Sequence, residues 1–210
     1  MMFHDRNQAA ILLAEQLKDY QGKNPLILAI PRGAVPMAKI IADQLNGEFD
    51  VVLVRKLRAP EYPELAIGAI DESGWTYIAD HAASVGADSE YIEIETLQQM
   101  ATIKQRRAQY TPVRPPIDPA GRVVIVIDDG LATGATMIAA LHGLRSRKPA
   151  RLICAIPVSP PETLRKIQPL ADQVVCLDTP NNFRAVGQFY ADFPQVEDKD
   201  VIKVLQSRHS

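Results

Sequence analysis

Hydrophobic and polar positions along this chain switch repeatedly between two periods. Ala10, Leu13, Ala14 and Leu17 recur at helical spacing and predict an N-terminal helix. Residues 26–30 form an unbroken apolar run, the signature of a strand buried on both faces. Ala34, Met37, Ala38, Ile41, Ala42 and Leu45 then mark one face of a second helix. Residues 50–55 predict a second strand. Residues 65–70 and 75–79 flank Asp71-Glu72-Ser73-Gly74, which predicts a hairpin turn. A helix with weaker periodicity is expected over residues 88–110, and residues 111–119, with four prolines, predict a connector. The second half repeats the alternation. A strand is predicted from Val123, a helix from Thr136, a strand over 152–156, a short helix over 162–167 and a strand over 174–177. Strands alternating with helices imply an α/β fold with a doubly wound parallel sheet, and ligands then bind beyond the carboxyl ends of the strands.

The most informative strand end is the run Val123-Val124-Ile125-Val126-Ile127-Asp128-Asp129-Gly130-Leu131-Ala132-Thr133-Gly134-Ala135-Thr136. The apolar run closes on two adjacent carboxylates. A turn of small residues follows, and Met137, Ala140, Leu141 and Leu144 open a helix. Unpaired N–H groups and the positive end of the dipole make such a helix start a natural phosphate cradle. Carboxylates cannot hold phosphate themselves. They suit the hydroxyls of an attached sugar, or a bound cation, so a ribose 5-phosphate fits the combination. Two other strand ends carry cations. The first predicted strand runs into Pro31-Arg32-Gly33-Ala34, which reads either as a glycine turn with a solvated arginine or as part of an anion site. The second ends in Arg55-Lys56-Leu57-Arg58, which suits a polyanion or a solvated basic edge.

The stretch from Asp128 to Thr136 resembles the motif with which type I phosphoribosyltransferases bind phosphoribosyl pyrophosphate (PRPP). The resemblance covers about residues 26–177 and implies one phosphoribosyltransferase domain over residues 1–210, with a small hood built from terminal segments. It implies that Asp128 and Asp129 hold the ribose hydroxyls, and reach Mg²⁺ only indirectly or through PRPP. Gly130, Leu131, Ala132, Thr133, Gly134, Ala135 and Thr136 would hold the 5-phosphate. Arg32, Gly33 and Lys56 would bind pyrophosphate. A mobile lid would include Arg58, Glu61 and Glu64. Among the aromatics near the C-terminus, Phe183, Phe189, Tyr190 or Phe193 would stack on the base. The implied partners are PRPP and a nitrogen base, with Mg²⁺ as cofactor and a homodimer as the expected assembly. One departure bears on the base. Hypoxanthine-guanine enzymes carry a proton-handling acid where this chain has Ala132, so a 6-oxopurine acceptor is disfavoured. The tail and the segment Pro63-Glu64-Leu65-Ala66-Ile67-Gly68-Ala69-Ile70 are similar to stand-alone domains whose base is unassigned.

Composition narrows the alternatives. The chain has 210 residues, enough for one domain with a sizeable core. Its net charge of −2 gives no nucleic-acid footprint. No basic stretch followed by an apolar core marks a signal peptide at the start, and no apolar run is long enough for a membrane span. Cys154 and Cys176 sit inside apolar runs and are expected to be free and buried, which suits a reducing cytoplasm. His4, His81, His142 and His209 are expected to be surface or structural residues. The absence of Gly-x-Gly-x-x-Gly after the first strand excludes a nucleotide-binding dehydrogenase. A PRPP- or nucleotide-sensing protein that keeps the fold without transferase activity is the alternative function.

Overall fold

The computed structural model describes residues 1–207, so His209 lies outside the described residues. Among the described residues, eight strands and six α-helices form two sheets with their covering layers. The main sheet is parallel throughout and contains β1 (Leu26–Ala29), β2 (Glu48–Val51), β6 (Val123–Ile127), β7 (Arg151–Val158) and β8 (Gln173–Asp178), in the order β2-β1-β6-β7-β8. The apolar runs of β1 and β6 send alternate residues to opposite faces. Ile27, Ala29, Ile125 and Ile127 join a core with α1 (Arg6–Gln16) and α2 (Ala34–Leu45). Leu26, Leu28, Val124 and Val126 join a second core with α4 (Ala135–Ser146) and α5 (Pro161–Ile167). Both faces are buried, so these strands read as continuous rather than alternating apolar segments.

The predicted strand over 50–55 is corrected: it is the junction of two strands. β2 ends at Val51, while β3 (Val54–Arg58) belongs to a separate antiparallel sheet with β4 (Ala66–Asp71) and β5 (Thr76–Ile78). Val51, Val52, Leu53 and Val54 are all buried, so nothing in the hydrophobic pattern marks the step from one sheet to the other. The predicted hairpin is β4–β5. Its turn is held by Asp71, which accepts from the N–H groups of Ser73 and Trp75. α4 packs between the two sheets, which accounts for its apolar residues on nearly every side.

The weak periodicity over residues 88–110 has a physical cause. α3 (Ser89–Tyr110) starts on Asp88, which accepts from the Tyr91 N–H, and buries Glu95 and Gln99 along with Ile103 and Tyr110. Glu95 accepts from the Arg58 N–H at 3.0 Å and from the Gln99 amide at 3.0 Å, and Gln99 accepts from Arg55 Nε at 2.9 Å. The face against β3 is therefore a polar network that a hydrophobic pattern cannot show. Glu95→Ala should orphan two donors and lower the unfolding free energy by about 2–4 kcal/mol, measurable by urea denaturation.

The two ends of the chain meet. The Phe3 N–H donates to the Phe189 carbonyl and the Ala191 N–H to the Phe3 carbonyl, each at 2.8 Å. α6 (Asp198–Gln206) buries Val201 and Leu205 beside α2 and α3. Cys154 on β7 is buried, Cys176 on β8 is half-buried, and both are free; burial pushes the Cys176 thiol up to about 11. No described helix is long and apolar enough to cross a membrane.

Candidate active site

A cavity of about 460 Å³ opens at the carboxyl ends of β1 and β6, where an open parallel sheet places its ligands. Arg32, Gly33, Lys56, Asp128, Asp129 and the turn from Gly130 to Gly134 all border it, with Thr136. Three stretches of sequence separated by twenty or more residues thus converge on one space. Two helix N-termini face it, α2 behind Gly33 and α4 behind Gly134. Each supplies a partial positive charge.

The turn after β6 is shaped for close backbone approach. Gly134 has φ +77°, and a Cβ there would lie 2.7 Å from the Thr163 methyl. Thr163 in turn donates its hydroxyl to the Ala132 carbonyl at 2.6 Å, which points that carbonyl away from the cavity. Among the described residues, the N–H groups of Ala132, Thr133, Gly134 and Thr136 donate to no protein acceptor. The Ala135 N–H has only a long 3.5 Å contact to the Thr133 hydroxyl. Leu131 differs. Its N–H donates to the Val158 carbonyl at 2.9 Å and its side chain is buried, so this amide is already committed to β7 and cannot serve a phosphate.

The paired acids have distinct environments. Asp128 accepts from the Asp129 N–H at 2.9 Å. Desolvation at the cavity floor, reinforced by the neighbouring Asp129 charge, holds its carboxyl well above the usual range. Asp129 Oδ2 accepts from Arg6 twice, at 2.9 Å from Nε and 2.8 Å from Nη2. Arg6 also donates to the Pro194 carbonyl at 2.7 Å, and its guanidinium lies 3.7 Å from the centre of the Phe193 ring. The Tyr190 hydroxyl donates to the Asp129 carbonyl at 2.6 Å. Arg6 therefore ties the N-terminal helix, the second acid and the C-terminal tail together. The sequence reading missed Arg6. It belongs to a helix 122 residues before Asp128, and no local pattern connects the two.

The remaining candidates divide. Gly33 abuts Asp129: a Cβ on it would lie 2.0 Å from Asp129 Oδ2. Arg32 borders the cavity and reaches Asp198 of α6 at 3.7 Å. The Pro31–Arg32 peptide is cis. Lys56 lies on β3, an antiparallel strand, rather than at the carboxyl end of a parallel one, but still borders the cavity. Arg58 and Glu64 line a neighbouring cavity instead, and Glu61 is exposed and borders neither. The stacking candidates are also redistributed. Phe183 packs on Phe189 at 5.2 Å, and Tyr190 lies 4.8 Å from Phe193; of these four, only Phe193 borders the main cavity. Phe189 and Tyr190 are buried because they anchor the tail to the domain. The described histidines stay away from the cavity: His142 stacks on Trp75 at 3.5 Å, and His81 contacts the Ala66 carbonyl.

Comparison with known proteins identifies the family and the fold. The phosphoribosyl transferase domain pattern matches residues 4–194. A Mycobacterium tuberculosis H37Rv protein that carries the name of a phosphoribosyl transferase is 36% identical over 209 residues. That match covers 99% of this chain and 47% of the relative, so the chain spans about half the relative's length. A uracil phosphoribosyltransferase of Streptococcus mutans is 30% identical over 162 residues, covering 77% of this chain and 66% of that protein. Among solved structures, TT1426 from Thermus thermophilus superposes with a TM-score of 0.82 at 42% identity, covering 98% of both chains.

Proposed function

Because the chain belongs to the phosphoribosyl transferase domain family, we propose that it moves ribose 5-phosphate from PRPP to a nitrogen base and releases pyrophosphate. The observation that carries this reading is the single cavity in which an acid pair, an open-amide turn and the Arg32–Gly33 turn with Lys56 all meet. The unpartnered N–H groups of Ala132, Thr133, Gly134 and Thr136 hold the 5-phosphate at the start of α4. Asp128 and Asp129 accept from the ribose hydroxyls. Arg32, the Gly33 backbone and Lys56 face the pyrophosphate. As the bond from C1 to the pyrophosphate oxygen breaks, the leaving group gains charge that these cations stabilise, while the acids favour the positive charge developing on the ribose. A base nitrogen then bonds to C1. Fixing both partners in one cavity lowers the barrier further.

The described residues contain no cluster of three or more metal-ligating side chains. Asp128 and Asp129 are hard oxygen donors that suit Mg²⁺ shared with a phosphate ligand rather than a protein-built cage. Bound in that way, Mg²⁺ would offset the charge of the pyrophosphate. Two free cysteines suit action in a reducing cytoplasm.

The acceptor is constrained by what the cavity lacks. Asp128 and Asp129 are the only acids that border it among the described residues, and Ala132 offers no proton-handling group. Purified protein with PRPP and Mg²⁺ should therefore show no preference for hypoxanthine or guanine in a panel that also contains adenine and uracil. Efficient conversion of either oxopurine would refute the argument from Ala132. PRPP binding with no base converted would favour the sensing alternative, which the occupation of Asp129 Oδ2 by Arg6 already supports.

A further inference from the structure

Beside the main cavity lies a second one of about 260 Å³. The two share Ile30, Pro31, Lys56 and Thr136, so one wall separates them. The second is lined by Arg55, Lys56, Arg58 and Arg106, against one acid, the exposed Glu64. Nearby acids offset only part of this charge. Glu95 accepts from the Arg58 backbone N–H and the Gln99 amide, and its charge opposes the repulsion on Arg55 without cancelling it. Asp198 is divided between the Tyr110 hydroxyl at 2.6 Å, Arg32 at 3.7 Å and Arg106 at 3.8 Å. Among the described residues Arg55 hydrogen-bonds the neutral Gln99, and neither Lys56 nor Arg58 has an acid within ion-pair distance.

Crowded cations repel one another, and burial removes the water that would screen them. Arg55 shows the result: desolvation, then the charges of Arg106 and Arg58, lower its pKa. An arrangement of this kind costs stability in the free protein, and an anion with several oxygens relieves it. Arginine forks match phosphate oxygens in pairs, and a cleft of one sign concentrates counter-ions.

We propose that this second cavity is an oligophosphate subsite that fills while PRPP occupies the first. Simultaneous filling rests on the reading of the first cavity as the PRPP site. The ligand chemistry is a chain of two or three phosphates. Both the pyrophosphate released by transfer and a separate oligophosphate effector offer it.

The test is calorimetric titration of the full chain with pyrophosphate and with tripolyphosphate, each with and without saturating PRPP. With PRPP bound, one oligophosphate site should remain titratable and should weaken as salt rises. Arg106→Gln and Arg55→Gln should each weaken that site about tenfold, the loss of one charge-assisted contact. Arg106→Lys should restore part of the loss, and thermal midpoints without ligand show whether each variant is folded. Tighter pyrophosphate than tripolyphosphate identifies the leaving group as the occupant; the reverse order identifies an effector. Loss of all oligophosphate binding when PRPP is present would overturn the proposal on the wild-type protein alone, while leaving the PRPP site intact. Wild-type affinity in both glutamine variants would overturn it as well. Failure of PRPP itself to bind would count against the transferase reading, and the arginine dependence measured without PRPP would still decide the subsite.

Discussion

Asp128→Asn combined with Asp129→Asn is expected to weaken PRPP binding by about a hundredfold or more in calorimetric titration. In the proposed site each acid accepts from a ribose hydroxyl, and each such bond contributes about 1.5–3 kcal/mol, so two losses multiply. Unchanged affinity would remove the ribose-binding role. The single variants should then part company in stability. Asp129 has an ion pair with Arg6, whose side chain is only 11% exposed. Asp129→Asn leaves that guanidinium without an anion and should destabilise the fold. Asp128 has no cation partner within ion-pair reach among the described residues, and its carboxyl is raised by desolvation and by Asp129. A raised carboxyl binds its proton more tightly folded than unfolded. Its stabilising contribution is therefore present below the unfolded value near 3.8 and is lost as pH rises through the folded value. Asp128→Asn should abolish that loss, leaving the variant at least as stable as wild type at neutral pH. Urea denaturation across pH checks the sign: a wild-type curve that gains stability on the alkaline side of this window, relative to Asp128→Asn, would contradict it.

That asymmetry separates what the sequence shows from what it hides. The run from Val123 to Thr136 displays strand, acids, turn and helix in order, because a buried parallel strand and a helix start both leave local signatures. β1, β7, β8 and α2 are legible for the same reason. Two adjacent carboxylates look equivalent in a sequence, however; the fold separates them, because Arg6 from the other end of the chain pairs with Asp129 while burial raises Asp128. The same holds for β3. Its cations read as the end of a parallel strand, because the buried residues on either side of the sheet change look continuous. The C-terminal aromatics are legible as a cluster but not in their orientation. Phe189 and Tyr190 face the domain and Phe193 faces the cavity, and irregular backbone has no period from which to read that choice. The buried face of α3 was hidden by its chemistry, since Glu95 and Gln99 do there what leucines usually do.

Gly33→Ala should disable the site through a contact that the substitution itself creates. The new methyl would lie 2.0 Å from Asp129 Oδ2, 2.9 Å from its Cγ and 3.0 Å from Arg6 Nε. A free carboxylate could swing away at little cost. This one is held by two Arg6 donors, and its backbone carbonyl is held by Tyr190. The strain must therefore break the ion pair or shift the start of α2. Overpacking of this kind costs about 1–3 kcal/mol. PRPP affinity should fall by about tenfold or more, because both the acid and the Arg32–Gly33 backbone move together. A double-mutant cycle separates this mechanism from a general loss of helix order. Asp129→Ala removes the atoms that the methyl would strike, so the stability costs of Gly33→Ala and Asp129→Ala should sum to more than the cost of the double variant. A coupling near zero would show that Gly33 is required for its own backbone conformation. Its φ of −58° speaks against that, since any residue adopts it. The glycine is then explained by the carboxylate beside it, which ties the turn after β1 to the acid pair after β6 as one unit.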